Sequence, residues 1–138
     1  MDVGAYPEPV PPNRNLRART VLVPRGANSL LLCRYLGVNH PLQVVGTLAG
    51  SRTIRAVSTT AGLTRQFNAL PQVPRFIHGC PAGDGSFILA FFRYRAAPTD
   101  PVRVDIDGCR TVTNGFLKRR AVFPPGVHLI AELRQLTA

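Results

Sequence analysis

Proline and glycine interrupt this chain so often that short strands joined by turns are favoured over long helices. The 138 residues include 13 Pro and 12 Gly, and both residue types punctuate regular structure. The length is that of one domain, and a chain of this size buries enough surface to fold without a metal or a disulfide.

Several segments have the residue pattern of β-strands. Segments 29–37 and 86–95 are apolar on both faces, which is typical of strands in the centre of a sheet. Segment 102–106 alternates apolar with charged residues, so it predicts a half-buried strand that forms an antiparallel hairpin with 86–95. Shorter or less regular strand patterns occupy 20–23, 52–58 and 109–113.

Two segments have a helical period instead. In segment 60–70, three apolar side chains at spacings of four and three share one helical face, namely those of Leu63, Phe67 and Leu70. The hydroxyls of residues 58–60 are predicted to cap the first turn. A second helix is predicted over 127–136.

This order of elements predicts an α+β fold with a single antiparallel sheet of about five to six strands and two helices packed on one face. A duplicated β-β-α unit is the alternative, because both halves contain a buried strand ending in Arg-Tyr, at Arg34-Tyr35 and Arg93-Tyr94. Residues 1–18 are predicted to be a Pro-rich flexible tail or linker, and residues 19–138 the single domain.

The charge is strongly unbalanced, with 17 Lys and Arg against 7 Asp and Glu, for a formal net charge of +10. Such a chain attracts polyanions, most strongly at low salt. A plain solvated basic surface is the alternative, since sixteen of the cations are Arg and this excess is typical of GC-rich genomes. The candidate polyanion-binding residues are Arg14, Arg17, Arg19, Arg25, Lys118, Arg119 and Arg120.

No catalytic motif stands out in the sequence. It contains no nucleophile elbow, phosphate-binding loop or dinucleotide fingerprint, so no catalytic residue, cofactor or metal site is predicted. Two weak enzymatic alternatives are a thiol of Cys80 activated by His78 and a carboxylate pair of Asp105 and Asp107. Arg103 shares the face of that pair and favours an ordinary ion pair instead.

Three cysteines make an odd count. Cys33 lies in an apolar run and is predicted to be a buried free thiol. Cys80 and Cys109 each lie beside a glycine at a predicted turn, where a disulfide is easily accommodated. The alternative is that both are reduced thiols.

Three motifs occur in order along the chain: Leu32-Cys33-Arg34-Tyr35, the run from Cys80 to Gly85 and the run from Gly108 to Gly115. Between them lies the segment from Leu63 to Pro71, which includes Asn68-Ala69-Leu70-Pro71. Over roughly residues 29–120, the chain resembles uncharacterised exported or lipoprotein-type domains of high-GC Gram-positive bacteria. The resemblance implies a location outside the cytoplasm and a disulfide, and it implies no activity. Proteins of this type carry a leader and a Pro-rich spacer; residues 1–18 fit the spacer, whereas the sequence shows no leader.

The function predicted from the sequence is therefore that of a non-enzymatic, extracytoplasmic binding domain with a basic surface, whose partner is an anionic polymer or a protein. A cytoplasmic nucleic-acid-binding protein is the alternative. No run of 18 apolar residues exists, so no transmembrane segment is predicted. The oligomeric state stays open.

Overall fold

The computed structural model describes residues 10–37, 46–72 and 80–138. Within them the chain forms a short 3-10 helix, six strands and two α-helices. In chain order these are the 3-10 helix Leu16–Arg19, β1 Ser29–Tyr35, β2 Leu48–Ile54, α1 Val57–Asn68, β3 Phe87–Arg93, β4 Asp100–Asp105, β5 Thr111–Thr113, β6 Lys118–Arg120 and α2 Pro124–Leu136. His40 and His78 lie outside the described residues.

The six strands form one sheet in the order β2-β1-β3-β4-β5-β6. Every neighbouring pair is antiparallel, which confirms the predicted α+β fold. The segment predicted to be most central, β3, pairs on both sides from Phe87 to Phe92, with Leu89 opposite Cys33 of β1 and Arg103 of β4. The two halves of the chain contribute two and four strands.

Both helices pack on the same face of the sheet. Alternate residues of the central strands, such as Leu32 and Phe92, share one buried cluster with Leu63 and Phe67 of α1 and Leu133 of α2. The ring of Phe67 meets that of Phe92 edge to face, with 5.4 Å between the ring centroids. Such contacts are favourable beyond the area they bury.

The opposite face of the sheet carries a stack of planar groups. The rings of Tyr35 and Phe87 stack with their centroids 5.2 Å apart, and the guanidinium of Arg103 lies 4.0 Å from the Phe87 centroid. Arg103 also forms an ion pair with Asp105, with 2.9 Å between Nε and Oδ1. The ordinary ion pair predicted on this strand is therefore present.

Some predicted boundaries were wrong for local reasons. The predicted cap at residues 58–60 is not used: α1 begins at Val57 after Ala56, which makes no side-chain cap bond. Helix α2 begins at Pro124 rather than at residue 127, because proline is well tolerated in a first turn that needs no amide hydrogen bond. Strand β2 begins at Leu48, four residues before the predicted start.

Segment 20–23, predicted as a strand, forms a turn. Side chains satisfy its backbone instead of a neighbouring strand: Val23 exchanges two hydrogen bonds with the amide of Asn68, at 2.9 and 2.8 Å. The carbonyl of Leu22 accepts a third from Asn114. Alternation in so short a run does not reveal such partners.

The described part of the predicted tail, residues 10–18, contacts the domain. Asn13 donates to Oδ1 of Asp100 at 2.7 Å and to the carbonyl oxygen of Asn114 at 2.8 Å. Asn15 and Ala18 are buried. The packed structure therefore includes residues before position 19.

A disulfide joins Cys80 to Cys109, and Cys33 is a buried free cysteine. The bond closes a loop across 29 residues and connects the loop before β3 to the turn between β4 and β5. Neither helix of the described residues is long and apolar enough to cross a membrane.

The double substitution Cys80→Ser/Cys109→Ser is expected to lower the free energy of unfolding by about 3 kcal/mol, because it removes a cross-link that restricts the unfolded chain. Urea denaturation checks this value. A reductant should lower the denaturation midpoint of the natural protein and leave that of the double variant unchanged. Equal midpoints with and without reductant in the natural protein would contradict the prediction.

Candidate polyanion-binding surface

The buried amide of Asn114 is one of the groups that fix the amino-terminal segment to the sheet. Asn114, which follows β5, is fully buried and donates to the carbonyl oxygens of Ala18 at 2.8 Å and Leu22 at 3.1 Å. Its Oδ1 accepts from the backbone amides of Phe116 at 2.9 Å and Leu117 at 2.8 Å. One side chain therefore shapes the turn before β6 and holds the segment that carries several of the candidate arginines.

Three of those arginines meet on this segment. Arg17 donates to the carbonyl oxygen of Arg25 at 3.4 Å, which brings the two residues side by side. Arg19 lies across the ring of Phe116, with 5.6 Å between the guanidinium carbon and the ring centroid. All three guanidinium groups belong to exposed residues.

Exposed Lys118 begins β6 two residues after Phe116, so it extends the same surface. Arg14 is also exposed and follows Asn13, whose side chain is fixed to Asp100. We refer below to Arg14, Arg17, Arg19, Arg25, Phe116 and Lys118 as the basic surface.

The remaining two candidates are not brought to the basic surface. Arg120 points toward the disulfide, where Nε donates to the carbonyl oxygen of Cys109 at 3.0 Å and Nη2 lies 3.7 Å from Sγ of Cys80. Arg119 is half-buried, and its Nη1 donates to the carbonyl oxygen of Lys118 at 2.8 Å.

The described carboxylates lie away from the basic surface or are buried beneath it. Asp84 and Asp107 are in the loops near the disulfide, and Asp105 pairs with Arg103. Glu132 accepts from Gln66 between the two helices, at 2.9 Å. The positive charge of the basic surface is therefore little neutralised by the described residues.

Asp100 is the carboxyl beneath the amino-terminal segment, and it is fully buried. Burial raises the pKa of Asp100 to about 7, although the hydrogen bond from Asn13 lowers it in part. Its Oδ2 has no hydrogen-bond partner among the described residues. Burial also raises the pKa of nearby Tyr94, and the charge of Asp100 raises it further.

A mixed-charge cleft of about 310 Å³ lies at another part of the molecule, between the loop before β3 and the end of α2. Its walls include Arg34, Arg134 and Asp107, with Ser86 between them. Arg34 is already engaged, since Nε and Nη2 both donate to the carbonyl oxygen of Thr137 at 3.3 Å. The cleft therefore combines both signs of charge, unlike the basic surface.

The two enzymatic alternatives find little support in the described residues. The sulfur of Cys80 is in the disulfide, so it is not a free nucleophile in this state. Asp105 is paired with Arg103, and Asp107 approaches the backbone amide of Asp84 at 3.4 Å. Within the described ranges no three His, Cys, Asp or Glu side chains are grouped so that they could hold a metal ion.

Two residues of the surface were missed from the sequence. Asn114 is part of the run from Gly108 to Gly115 and was given no role of its own, and Phe116 was not among the candidates. Asn followed by Gly predicts a turn, but nothing local shows that the amide also binds a segment more than 90 residues away.

The chain matches no protein-family model, and no curated protein or solved structure matches it.

Proposed function

We propose that this domain is a non-enzymatic binding module that works outside the cytoplasm and holds an anionic polymer on its basic surface. The observation that carries the proposal is a set of exposed cations on a segment fixed by buried hydrogen bonds. Arg17 meets Arg25, and Arg19 lies across the exposed ring of Phe116. Cations held in place lose less conformational entropy on binding than free side chains do.

A polymer suits this surface better than a small anion. The cations are spread along a segment and the start of β6, and they do not converge in a cavity. An array of this kind meets several charges of a repeating chain at once and gains affinity by releasing counterions. The net charge of +10 attracts the same ligand over a longer range.

The extracytoplasmic part of the proposal is supported by the disulfide between Cys80 and Cys109. Structural disulfides persist in oxidising compartments and are rare in the cytosol. Counting thiols by mass after alkylation of unfolded, unreduced protein tests this part. One free thiol is expected. Three free thiols, in protein kept from reductants, would contradict the extracytoplasmic location and favour the cytoplasm.

A cytoplasmic nucleic-acid-binding protein is the second candidate, and the position of Phe116 favours it. This ring is 41% exposed, and Arg19 lies across it. Exposed aromatic rings beside arginines stack on the bases of single strands. Both candidate functions use the same cations, but only the binding of single-stranded nucleic acid would also use the ring of Phe116.

Removing three cations from the basic surface is expected to weaken polymer binding by about tenfold or more. In Arg17→Gln/Arg19→Gln/Lys118→Gln, the plot of log affinity against log salt should become shallower by about 2, because fewer counterions are released. Fluorescence anisotropy of labelled polyphosphate at several salt concentrations measures both quantities.

The matched control is Arg52→Gln/Arg55→Gln/Arg134→Gln, which removes three exposed cations of β2, the residue pair after it and α2. If both triple variants weaken binding equally, only net charge matters and the basic surface is not the site. Phe116→Ala separates the two candidates: loss of affinity for a single-stranded oligonucleotide but not for polyphosphate would favour the nucleic-acid candidate.

A further inference from the structure

Exposed apolar side chains protrude where α2 begins, just after β6. Phe123 is 60% exposed and Val127 is 44% exposed. They are adjacent, since the amide of Val127 donates to the carbonyl oxygen of Phe123 at 2.9 Å. Exposed Pro124 and Pro125 lie between them. We call Phe123, Pro124, Pro125 and Val127 the apolar ridge.

The apolar ridge has no evident role in the fold. Phe123 precedes α2 without capping it through a side chain, and Val127 points away from the buried cluster that holds Leu129 and Leu133. Leaving both apolar side chains exposed to water is unfavourable relative to burying them. Contiguous exposed apolar groups of this kind mark interaction sites.

Cations flank the apolar ridge on both sides. The hollow between α1 and α2 is lined in part by Arg65, and the hollow on the other side of α2 by Arg110 and Arg134. No carboxylate among the described residues lines either hollow. Glu132 of α2 accepts a hydrogen bond from Gln66.

From this arrangement we infer that the apolar ridge inserts into the surface of an anionic lipid membrane, while the flanking arginines contact lipid phosphates. Apolar side chains that penetrate the headgroup region, combined with nearby cations, are the usual means of peripheral membrane binding. This is a second attachment surface and does not depend on the proposed polymer binding.

A protein partner fits the apolar ridge less well. A stable protein interface buries about 800 Å² on each partner around a cluster of packed anchors. The ridge offers two large exposed apolar side chains, too few for such a cluster. Lipid is deformable, so a few inserted side chains and several cations suffice.

The chain contains no Trp, so Phe123→Trp places a single reporter on the ridge. With vesicles of phosphatidylcholine and phosphatidylglycerol at low salt, its emission is expected to shift to shorter wavelength and to be quenched by brominated acyl chains. Pure phosphatidylcholine vesicles should cause no shift. The matched control is Leu48→Trp, a reporter at an exposed position on β2. This strand is at the opposite edge of the sheet from β6, the strand that precedes the ridge.

A second variant tests insertion without a reporter. Val127→Asp is expected to lower the affinity for the anionic vesicles about tenfold or more, measured by co-sedimentation, because it places a carboxylate in the headgroup region. Leu48→Asp adds the same charge elsewhere and should change the affinity much less. Val127 is exposed, so this substitution leaves the fold intact.

Three results would overturn the inference: no co-sedimentation at low salt, co-sedimentation with an unchanged emission spectrum of the Phe123→Trp variant, or equal shifts in the Phe123→Trp and Leu48→Trp variants. The second result would mean that the protein attaches through other cations, such as those of the basic surface. Soluble polyphosphate tests the polymer-binding proposal without lipid, so failure of one proposal is distinguishable from failure of the other.

Discussion

The natural protein is expected to lose about 4 kcal/mol of its free energy of unfolding as the pH rises from about 4 to about 7, because of Asp100. The substitution Asp100→Asn is expected to abolish this loss. The carboxyl is fully buried, so the folded state favours its protonated form. The unfolded chain releases the same proton near pH 4.

The sign follows from proton binding. Below about pH 4 the carboxyl is protonated in both states, and it does not affect the pH dependence of folding. Between that pH and about 7, only folded Asp100 keeps its proton, so each pH unit lowers the free energy of unfolding by about 1.4 kcal/mol. Above about 7 both states are ionised, and the destabilisation remains constant.

Chemical denaturation of the natural protein and of Asp100→Asn across this range measures the difference. Comparing the two cancels the general effect of the large positive charge, which both proteins share. Asp105→Asn is the matched control, because it makes the same change at a half-exposed carboxylate of the same strand. Parallel stability curves for the natural protein and Asp100→Asn would show that water reaches the buried carboxyl.

The buried Asp100 illustrates what residue patterns can and cannot predict. Alternation identified β3 and β4 and their hairpin, because the side-chain period of a strand is two and one face of the hairpin is buried. The alternation of apolar and charged residues over 102–106 could not predict that Asp100, which comes just before it, is buried. Its Oδ1 accepts a hydrogen bond from Asn13, which is far away in the chain.

Helix and turn boundaries were less predictable for a similar reason. Hydroxyl residues at 58–60 have the composition of a cap, but Thr60 and Thr64 donate back to carbonyls within the first turns of α1 instead. Strand β6 was not predicted at all, because three consecutive cations show no alternation. Only pairing with β5 makes a strand of it.

The basic surface was predictable in part. Counting cations named Arg17, Arg19, Arg25 and Lys118, which the fold brings to one surface, yet the same count included Arg120, which turns to the disulfide. Charge alone cannot distinguish the cations of the basic surface from Arg120, because the position of a cation in the sequence says little about which face its side chain occupies. Hydrogen bonds between distant segments decide it.

Removing the amide of Asn114 is expected to have an effect as large as that of the buried carboxyl. Asn114→Ala should lower the free energy of unfolding by about 4 kcal/mol, because it leaves the carbonyls of Ala18 and Leu22 and the amides of Phe116 and Leu117 without their buried partner. Urea denaturation measures this loss.

The same substitution should also release the segment that carries the cations. Trypsin is then expected to cleave after Arg17 or Arg19 faster than in the natural protein, and affinity for polyphosphate should fall although no cation has been removed. Gln66→Ala is the matched control, since it removes a side-chain amide whose hydrogen bond to Glu132 lies between the two helices, and it should cost only about 1 kcal/mol. Equal losses in the two variants would mean that the segment is held by contacts other than Asn114, and the positioning of the basic surface would need another explanation.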